Sequence, residues 1–298
     1  MSAAVEVRRA RRKRGLTPGR VLLHAILISV CAVWLFPLLW AVLTSLRPIA
    51  DTSHNGYVSW PTVLNLDNYV IAWSQANLPF YWLNTLYIVV PGVILTLIIA
   101  SMLAFAISQF SWRFNIPVLM IFTAGNLLPP QVIIVPLYWI YLNTPLPDLL
   151  SDNGLLYDQY IGIVLIHVVF QGGFATFVLS NYMKTITKEI TESALVDGAG
   201  VLRIWWSIIL PLCRPALAAM ATLLFTFMYN DFFWALILMK SADKRPITSA
   251  LNNLHGAFFT NFNLLAAGSV LAAIPPIIIF IALQKHFVRG LTLGSTKG

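Results

Sequence analysis

Two places in this 298-residue sequence hold residues whose types and spacing could do chemistry. The first is a long apolar run interrupted by Asn230-Asp231, with Phe227 four positions before the acid and Trp234 three after it. On a continuous helix Phe227, Asp231 and Trp234 share one face. An ionised Asp at the centre of a membrane helix costs roughly 2.5–3.5 kcal/mol on insertion scales, so Asp231 should face a cavity or a partner rather than lipid. An aromatic-plus-carboxylate stripe suits a sugar, whose apolar faces stack on rings while its hydroxyls take hydrogen bonds. The same residues equally serve to pin neighbouring helices, or to close an external gate. Asn126 with Pro129-Pro130, and His167 with Gln171-Gly172-Gly173, mark two further polar or irregular stretches near mid-span, where broken backbone belongs to a cavity wall. A structural role inside the helix packing is the competing reading for His167. This intramembrane carboxylate has no evident acid/base partner, and H-E-x-x-H and G-x-S-x-G are absent, which leaves a membrane-embedded enzyme without its residues. No pair of histidines has metal-ligand spacing, so no metal is expected.

The second place is the connection at about 181–215. Thr187 has the character of a helix N-cap, and Glu189 and Glu192 lie in the first turns, where carboxylates favour the positive end of the helix dipole. Gly198 and Gly200 end that helix, and a second, apolar helix runs through Ile208 and Leu210 to Pro211. The spacing predicts a short helix, a turn and a helix lying on the membrane face. Ser193 and Ala194 are small, so the first helix can approach another surface closely. A loop between spans often contains a surface helix with no partner, and the residues alone leave both readings open.

The elements that must carry these residues are membrane spans. Only 10% of the residues are charged and 58% are hydrophobic, against roughly 25% charged in a soluble domain. Apolar runs at 21–43, 84–108, 116–142, 161–180, 216–239 and 264–284 are each near the 20 residues a helix needs to cross hydrocarbon. These predict an all-α polytopic membrane protein with six transmembrane helices, a basic segment at 1–20, the spanning domain at 21–284 and a tail at 285–298. The net charge of +8 is distributed as an anchor, not as a nucleic-acid face. With the amino terminus inside, all but four of the 19 Lys and Arg fall on inward segments, the exceptions being Arg47, Lys240, Lys244 and Arg245. Both termini are therefore expected in the cytoplasm. Trp82, Trp139 and Tyr141 at one level, and Trp112, Trp205 and Trp206 at the other, are expected at the two headgroup layers. Stripes at Ala100, Ala104 and Ser108, and at Gly268 and Ala272, permit close helix approach.

Glu192-Ser193-Ala194, then Gly198, then Ile208-Ile209-Leu210-Pro211 resembles the EAA loop of ABC importer permeases, whose pattern is E-A-A-x3-G-x9-I-x-L-P. The spacing matches throughout. Asp197-Gly198-Ala199 is similar to the carbohydrate, maltose-type branch, although Ser193 replaces the usual Ala and Thr187 stands where that branch often has Pro. Ser45-Leu46-Arg47-Pro48, Asn68-Tyr69, Asn84-Thr85, Pro136-Leu137-Tyr138 and Asn230-Asp231-Phe232 are similar to segments of the smaller maltose-type permease subunit. The resemblance implies the type I ABC importer permease fold, with a cytoplasmic coupling helix in the fourth connection. It implies a second homologous permease subunit, two ATPase subunits holding ATP and Mg, and an extracytoplasmic sugar-binding protein, all in a bacterial or archaeal cytoplasmic (inner) membrane. The chain itself would bind no cofactor and would carry a carbohydrate by alternating access, without nucleic acid. The absence of a G-x-x-x-x-G-K-[ST] phosphate cradle agrees with an ATPase on another chain. A self-contained secondary transporter is the alternative; it is expected to show a paired inverted repeat, and none is obvious.

Overall fold

The computed structural model describes residues 17–74, 77–125, 129–251 and 260–292, with side chains to residue 284. Asn126 and His255 lie outside the described residues. Among the described residues four helices are long and apolar enough to span a bilayer, α1 (Pro18–Ser45), α4 (Leu78–Gln109), α7 (Tyr160–Met183) and α13 (Phe262–Thr292), with the short helices α2 (Ile49–Asn55), α3 (Asp67–Ser74) and α12 (Ile247–Ala250) in the connections. Pro37, Pro91 and the Pro275-Pro276 pair sit inside these helices without ending them. Two bent pairs are also apolar enough, giving up to six crossings if each pair is one span: α5 (Asn115–Gly125) with the segment Pro130–Asn143, at 89°, and α9 (Val201–Leu212) with α10 (Arg214–Tyr229), at 81°. The segment Pro130–Asn143 holds a short 3-10 turn and then α6 (Ile134–Asn143).

The predicted span at 216–239 differs from the structure in an informative way. Its helix stops at Tyr229 and restarts as α11 (Phe233–Leu238). The Asn230 amide donates to the Thr226 carbonyl, and both Asp231 oxygens accept from backbone N–H groups of α11. Short polar side chains thus compete with the helical ladder and win at this point. Phe227, Asp231 and Trp234 consequently share no helix face: Phe227 is 52% exposed while Trp234 is buried against Phe170. The α9 helix lies nearly perpendicular to α10. Its middle, Trp205–Ile209, is π-helical ahead of Pro211, which supplies no N–H.

Packing divides into two apolar clusters. One joins Ala100 and Ala104 of α4, Leu179 and Met183 of α7, Ile204, Trp205 and Ile209 of α9, and the face of α10. The Ala100 and Ala104 stripe is therefore a seam within the chain. The other joins Ile88 of α4, Tyr141 of α6, Ile163, Val164 and Ile166 of α7, and Trp234, Leu238 and Met239 around α11. Of the aromatic residues expected at headgroup level, Tyr141 and Trp205 are buried in these clusters, whereas Trp112, Trp139 and Trp206 are exposed. In a chain this apolar the remaining exposed Leu, Ile and Phe side chains are the surface offered to lipid and to other helices.

Polar groups knit the ends of the second cluster. Asn84 donates to the carbonyls of Asp243 and Arg245 and accepts from the Tyr160 hydroxyl. Asp158, at φ +64°, accepts from the backbone N–H groups of Lys240 and Ser241. Lys244 pairs with Asp152 at 2.7 Å, and with Gln159 it holds that carboxyl down at about 2.

Gly162 is the tightest approach in this region. A Cβ there would lie 2.7 Å from the Leu156 carbonyl oxygen and 3.0 Å from the Tyr141 ring, and the Tyr141 hydroxyl donates to the Gly162 carbonyl. Gly162→Ala is expected to destabilise the protein by about 1–3 kcal/mol through overpacking. A thermal-shift measurement in detergent checks this: Gly172→Ala, which meets nothing within 4 Å, should leave the melting temperature nearly unchanged.

Candidate functional site

The loop after α7 begins with α8 (Lys188–Val196). Thr187 occupies its N-cap position in extended conformation, although its hydroxyl makes no capping hydrogen bond, and Glu189 lies in the first turn. At the other end Asp197 is the C-cap and Gly198 takes φ +79°. The Ala199 N–H reaches the Ala194 carbonyl at 2.9 Å and the Gly198 N–H reaches Leu195 at 3.0 Å, which together form a Schellman closure. A residue with a Cβ enters this left-handed region at a cost of about 1–2 kcal/mol. Gly200 then starts α9 in extended conformation.

The two faces of α8 do different things. Thr191 and Ala194 are buried, Ala194 in the cluster that contains Ile204, Trp205 and Ile209. Ala194 therefore packs on this chain, and its small size lets α8 sit close to α9. Glu189, Glu192, Ser193 and Asp197 are exposed, with Val196 88% exposed among them. Ile208 and Leu210 pack on the edge of the same cluster, and Pro211 is exposed.

A buried carboxamide fixes α8 to the membrane body. The Thr191 hydroxyl donates to Gln109 Oε1 at 3.0 Å, and Gln109 Nε2 donates to the Met183 carbonyl at 2.9 Å. Gln109 is the last residue of α4 and Met183 the last of α7, so one side chain ties two span ends to the loop helix. Nothing in the sequence reading singled out Gln109; a buriable amide closing an apolar span is the signal that could have done so.

The second group of candidates meets at the α10–α11 break. Asp231 Oδ1 accepts from Trp234 N at 3.2 Å and Oδ2 from Ala235 N at 3.3 Å, as an N-cap does. The Thr248 hydroxyl donates to the Asp231 carbonyl. His167, buried on α7, brings Nε2 to 3.6 Å from Asp231 Oδ2, beyond hydrogen-bond length, and among the described residues that nitrogen has no hydrogen-bond partner. The intramembrane carboxylate thus does face a titratable neighbour, contrary to the expectation from spacing along the chain. Asn230 is exposed beside it, and Phe227 points away from Trp234's buried site. This arrangement terminates and anchors a helix. Among the described residues no group of three His, Cys, Asp or Glu is placed to hold a metal ion.

A third polar centre was missed altogether. Arg47, only 1% exposed, pairs with Asp51 at 2.8 Å and donates to the Ser59 carbonyl and hydroxyl at 3.0 Å. The hydroxyl of Thr62 first, with Arg47 and Asn55, holds the Asp51 carboxyl at about 2 against its desolvation. Asn263 of α13 donates to Thr44 O and Thr52 Oγ1, binding the last span to this hub. The Arg47/Asp51 i,i+4 spacing across Pro48 was the available signal.

With this geometry established, comparison with known proteins places the chain. Residues 92–293 match the family described as binding-protein-dependent transport system inner membrane component. The arabinooligosaccharides transport system permease protein AraQ of Halalkalibacterium halodurans is 30% identical over 276 residues, covering 90% of this chain and 93% of that protein. The alpha-glucoside transport system permease protein AglG of Rhizobium meliloti is 34% identical over 239 residues, 80% of this chain and 62% of its own length. The melibiose/raffinose/stachyose import permease protein MelC of Bacillus subtilis is 28% identical across 94% of this chain and 97% of that protein. In fold, the chain is similar to one from the crystal structure of a bacterial ABC transporter involved in the import of the acidic polysaccharide alginate, with a TM-score of 0.74 at 23% identity over 90% of this chain and 96% of that one. The protein belongs to the binding-protein-dependent transport system inner membrane component family, as a multi-pass, non-catalytic permease subunit of an ABC importer.

Proposed function

We propose that this permease carries a carbohydrate, that it pairs with a second homologous permease to form the pathway, and that α8 is its coupling helix, seated on one of two ATPase subunits that bind ATP and Mg. The observation that carries this reading is the two-faced α8: anchored inward through Thr191 and Ala194, and presenting Glu189, Glu192, Ser193, Val196 and Asp197 outward, exposed among the described residues. A helix fixed in this way moves as a rigid body with α4, α7 and α9, so closure of the ATPase pair would rock the attached spans and alternate access between the two sides. The surplus of Lys and Arg on the loop side supports a cytoplasmic position for α8 and both termini. Sugar specificity is supported by the relatives, which are named for arabinooligosaccharides, alpha-glucosides and melibiose, raffinose and stachyose. A periplasmic or lipid-anchored sugar-binding protein would deliver to the end carrying Asp152, Asp158 and Arg47; the alginate ABC transporter similar in fold was crystallised with an alginate pentasaccharide-bound periplasmic protein.

Gly198 offers the direct test. Because a Cβ at Gly198 meets nothing within 4 Å, Gly198→Val acts through backbone strain of about 1–2 kcal/mol. Sugar uptake by the complete transporter is expected to fall roughly 5- to 30-fold, with ATPase activity no longer stimulated by the sugar-loaded binding protein. Gly198→Asn, which tolerates the left-handed conformation, should retain coupled transport. Normal coupled uptake by the Val variant refutes a docking role for α8.

Gln109→Leu removes both tethers and leaves the Met183 carbonyl and Thr191 hydroxyl unpaired, at about 1–3 kcal/mol for each buried group. Amide hydrogen exchange across residues 188–196 is expected to quicken roughly 5- to 150-fold, while exchange in α1 stays unchanged. Unaltered protection in α8 would show that the carboxamide does not hold it.

A further inference from the structure

Where the ends of α4 and α7 meet the start of α5, on the side of the α8 loop, a cleft of about 460 Å³ opens to the surface. Ile107, Ile116 and Leu119 give it apolar walls, and Trp112, Arg113 and Lys184 line it as well. The Asn115 amide donates to the carbonyls of Ile107 and Phe110 at 3.0 and 2.6 Å, which fixes the turn between α4 and α5. The Arg113 guanidinium lies 4.6 Å above the Phe114 ring, held but not neutralised. Arg113 is the lone charged residue between Asp67 and Asp148. Among the described residues neither Arg113 nor Lys184 forms an ion pair; the pairs present are Arg47 with Asp51, His167 with Asp231 and Lys244 with Asp152.

An apolar trough bearing two unpaired cations and a half-exposed Trp, at the end of three spans, matches an amphiphile with acyl chains and a phosphate. The geometry points to a binding site for an anionic phospholipid of the cytoplasmic leaflet, its phosphate held by Arg113 and Lys184 and an acyl chain lying along Ile116 and Leu119. The cytoplasmic assignment rests on the orientation proposed above. The site lies next to the loop anchor, because Lys184 follows Met183, whose carbonyl accepts the Gln109 amide, and α8 begins at Lys188. A headgroup that restrains Lys184 stiffens the link between α7 and α8, so anionic lipid should tighten coupling.

The test uses the complete transporter, exchanged into micelles containing equal phosphatidylglycerol and phosphatidylcholine, with retained lipid counted by native mass spectrometry. Wild type is expected to keep phosphatidylglycerol in preference to phosphatidylcholine. Arg113→Gln and Lys184→Gln should each lower that retention about fivefold, the equivalent of about 1 kcal/mol per juxtamembrane cation. Ile116→Trp, which fills the trough and keeps both charges, should lower it too. Equal retention of the two lipids by wild type overturns the site whether or not the variants fold, and so does wild-type retention in the double Gln variant. Displacement of the lipid by inorganic phosphate alone overturns the lipid in favour of a soluble anion. Retention that appears only after the ATPase subunits are stripped away overturns it in favour of a protein interface. Sidedness is read separately by thiol labelling of Ser111→Cys in intact cells, so an error in orientation is distinguishable from the absence of a lipid site.

Discussion

The carboxamide of Gln109 is the joint on which the mechanical reading depends. A primary amide is one of the few side chains that can accept and donate at once, and here each function reaches a different element: Oε1 takes the Thr191 hydroxyl of α8, and Nε2 gives to the last carbonyl of α7. Both bonds are buried, so breaking either leaves a polar group stranded without water, which is costlier than the bond's net worth. Around this joint Ala194, Ile204, Trp205 and Ile209 close the apolar packing. The result is a loop helix that is tied to the spans on one face and exposed on the other.

From that joint a continuous body leads to the middle of the membrane. The apolar cluster under α8 extends along α10 to Phe225, Met228 and Tyr229, and the Tyr229 hydroxyl donates to the Ala272 carbonyl of α13. The cluster continues past the end of α10 to Ile247, along α4 to Leu78, and to Ala72 of α3. Beyond Asp231 the chain enters the second cluster with Trp234, Leu238 and Met239, which is knitted by Asp158, Asn84 and the Lys244–Asp152 pair. A break capped by a carboxylate lies where the chain passes from one cluster into the other, while α4 and α7 contribute side chains to both. Asp231 and His167 therefore matter first as the fastening of that break, whatever they contact during transport.

How far the sequence foretold this varies by the kind of physics involved. Apolar run length is a sum over many residues, and it located the four long apolar helices. The turn at Gly198 was legible because a left-handed residue after Asp197 selects for glycine, a one-residue rule. The break at 230–232 was not: Asn230 and Asp231 looked like two polar residues on one helix, and only the competition of their side chains for backbone partners, decided by tertiary packing, ended the helix there. Long-range pairs were illegible for a simpler reason. Gln109 and Thr191 are separated by 82 positions, and His167 and Asp231 by a whole loop, so no local period links them.

The two ends of the molecule are fastened by different groups. At the Arg47 end the loops are held by charge: Arg47 with Asp51, Lys244 with Asp152, and the Asp158 carboxylate on backbone N–H groups. Carboxyls held near 2 remain ionised well below neutral pH, and since their pKa values are depressed, the stabilisation they give is lost only as the pH falls toward that value. At the α8 end the fastening is neutral, an amide and a hydroxyl, so it is insensitive to ionic strength and leaves the exposed Glu189, Glu192 and Asp197 free to pair with another chain. Neutral groups inside and unsatisfied carboxylates outside are what a surface needs if it is to hold firmly to its own spans while remaining open to a charged partner.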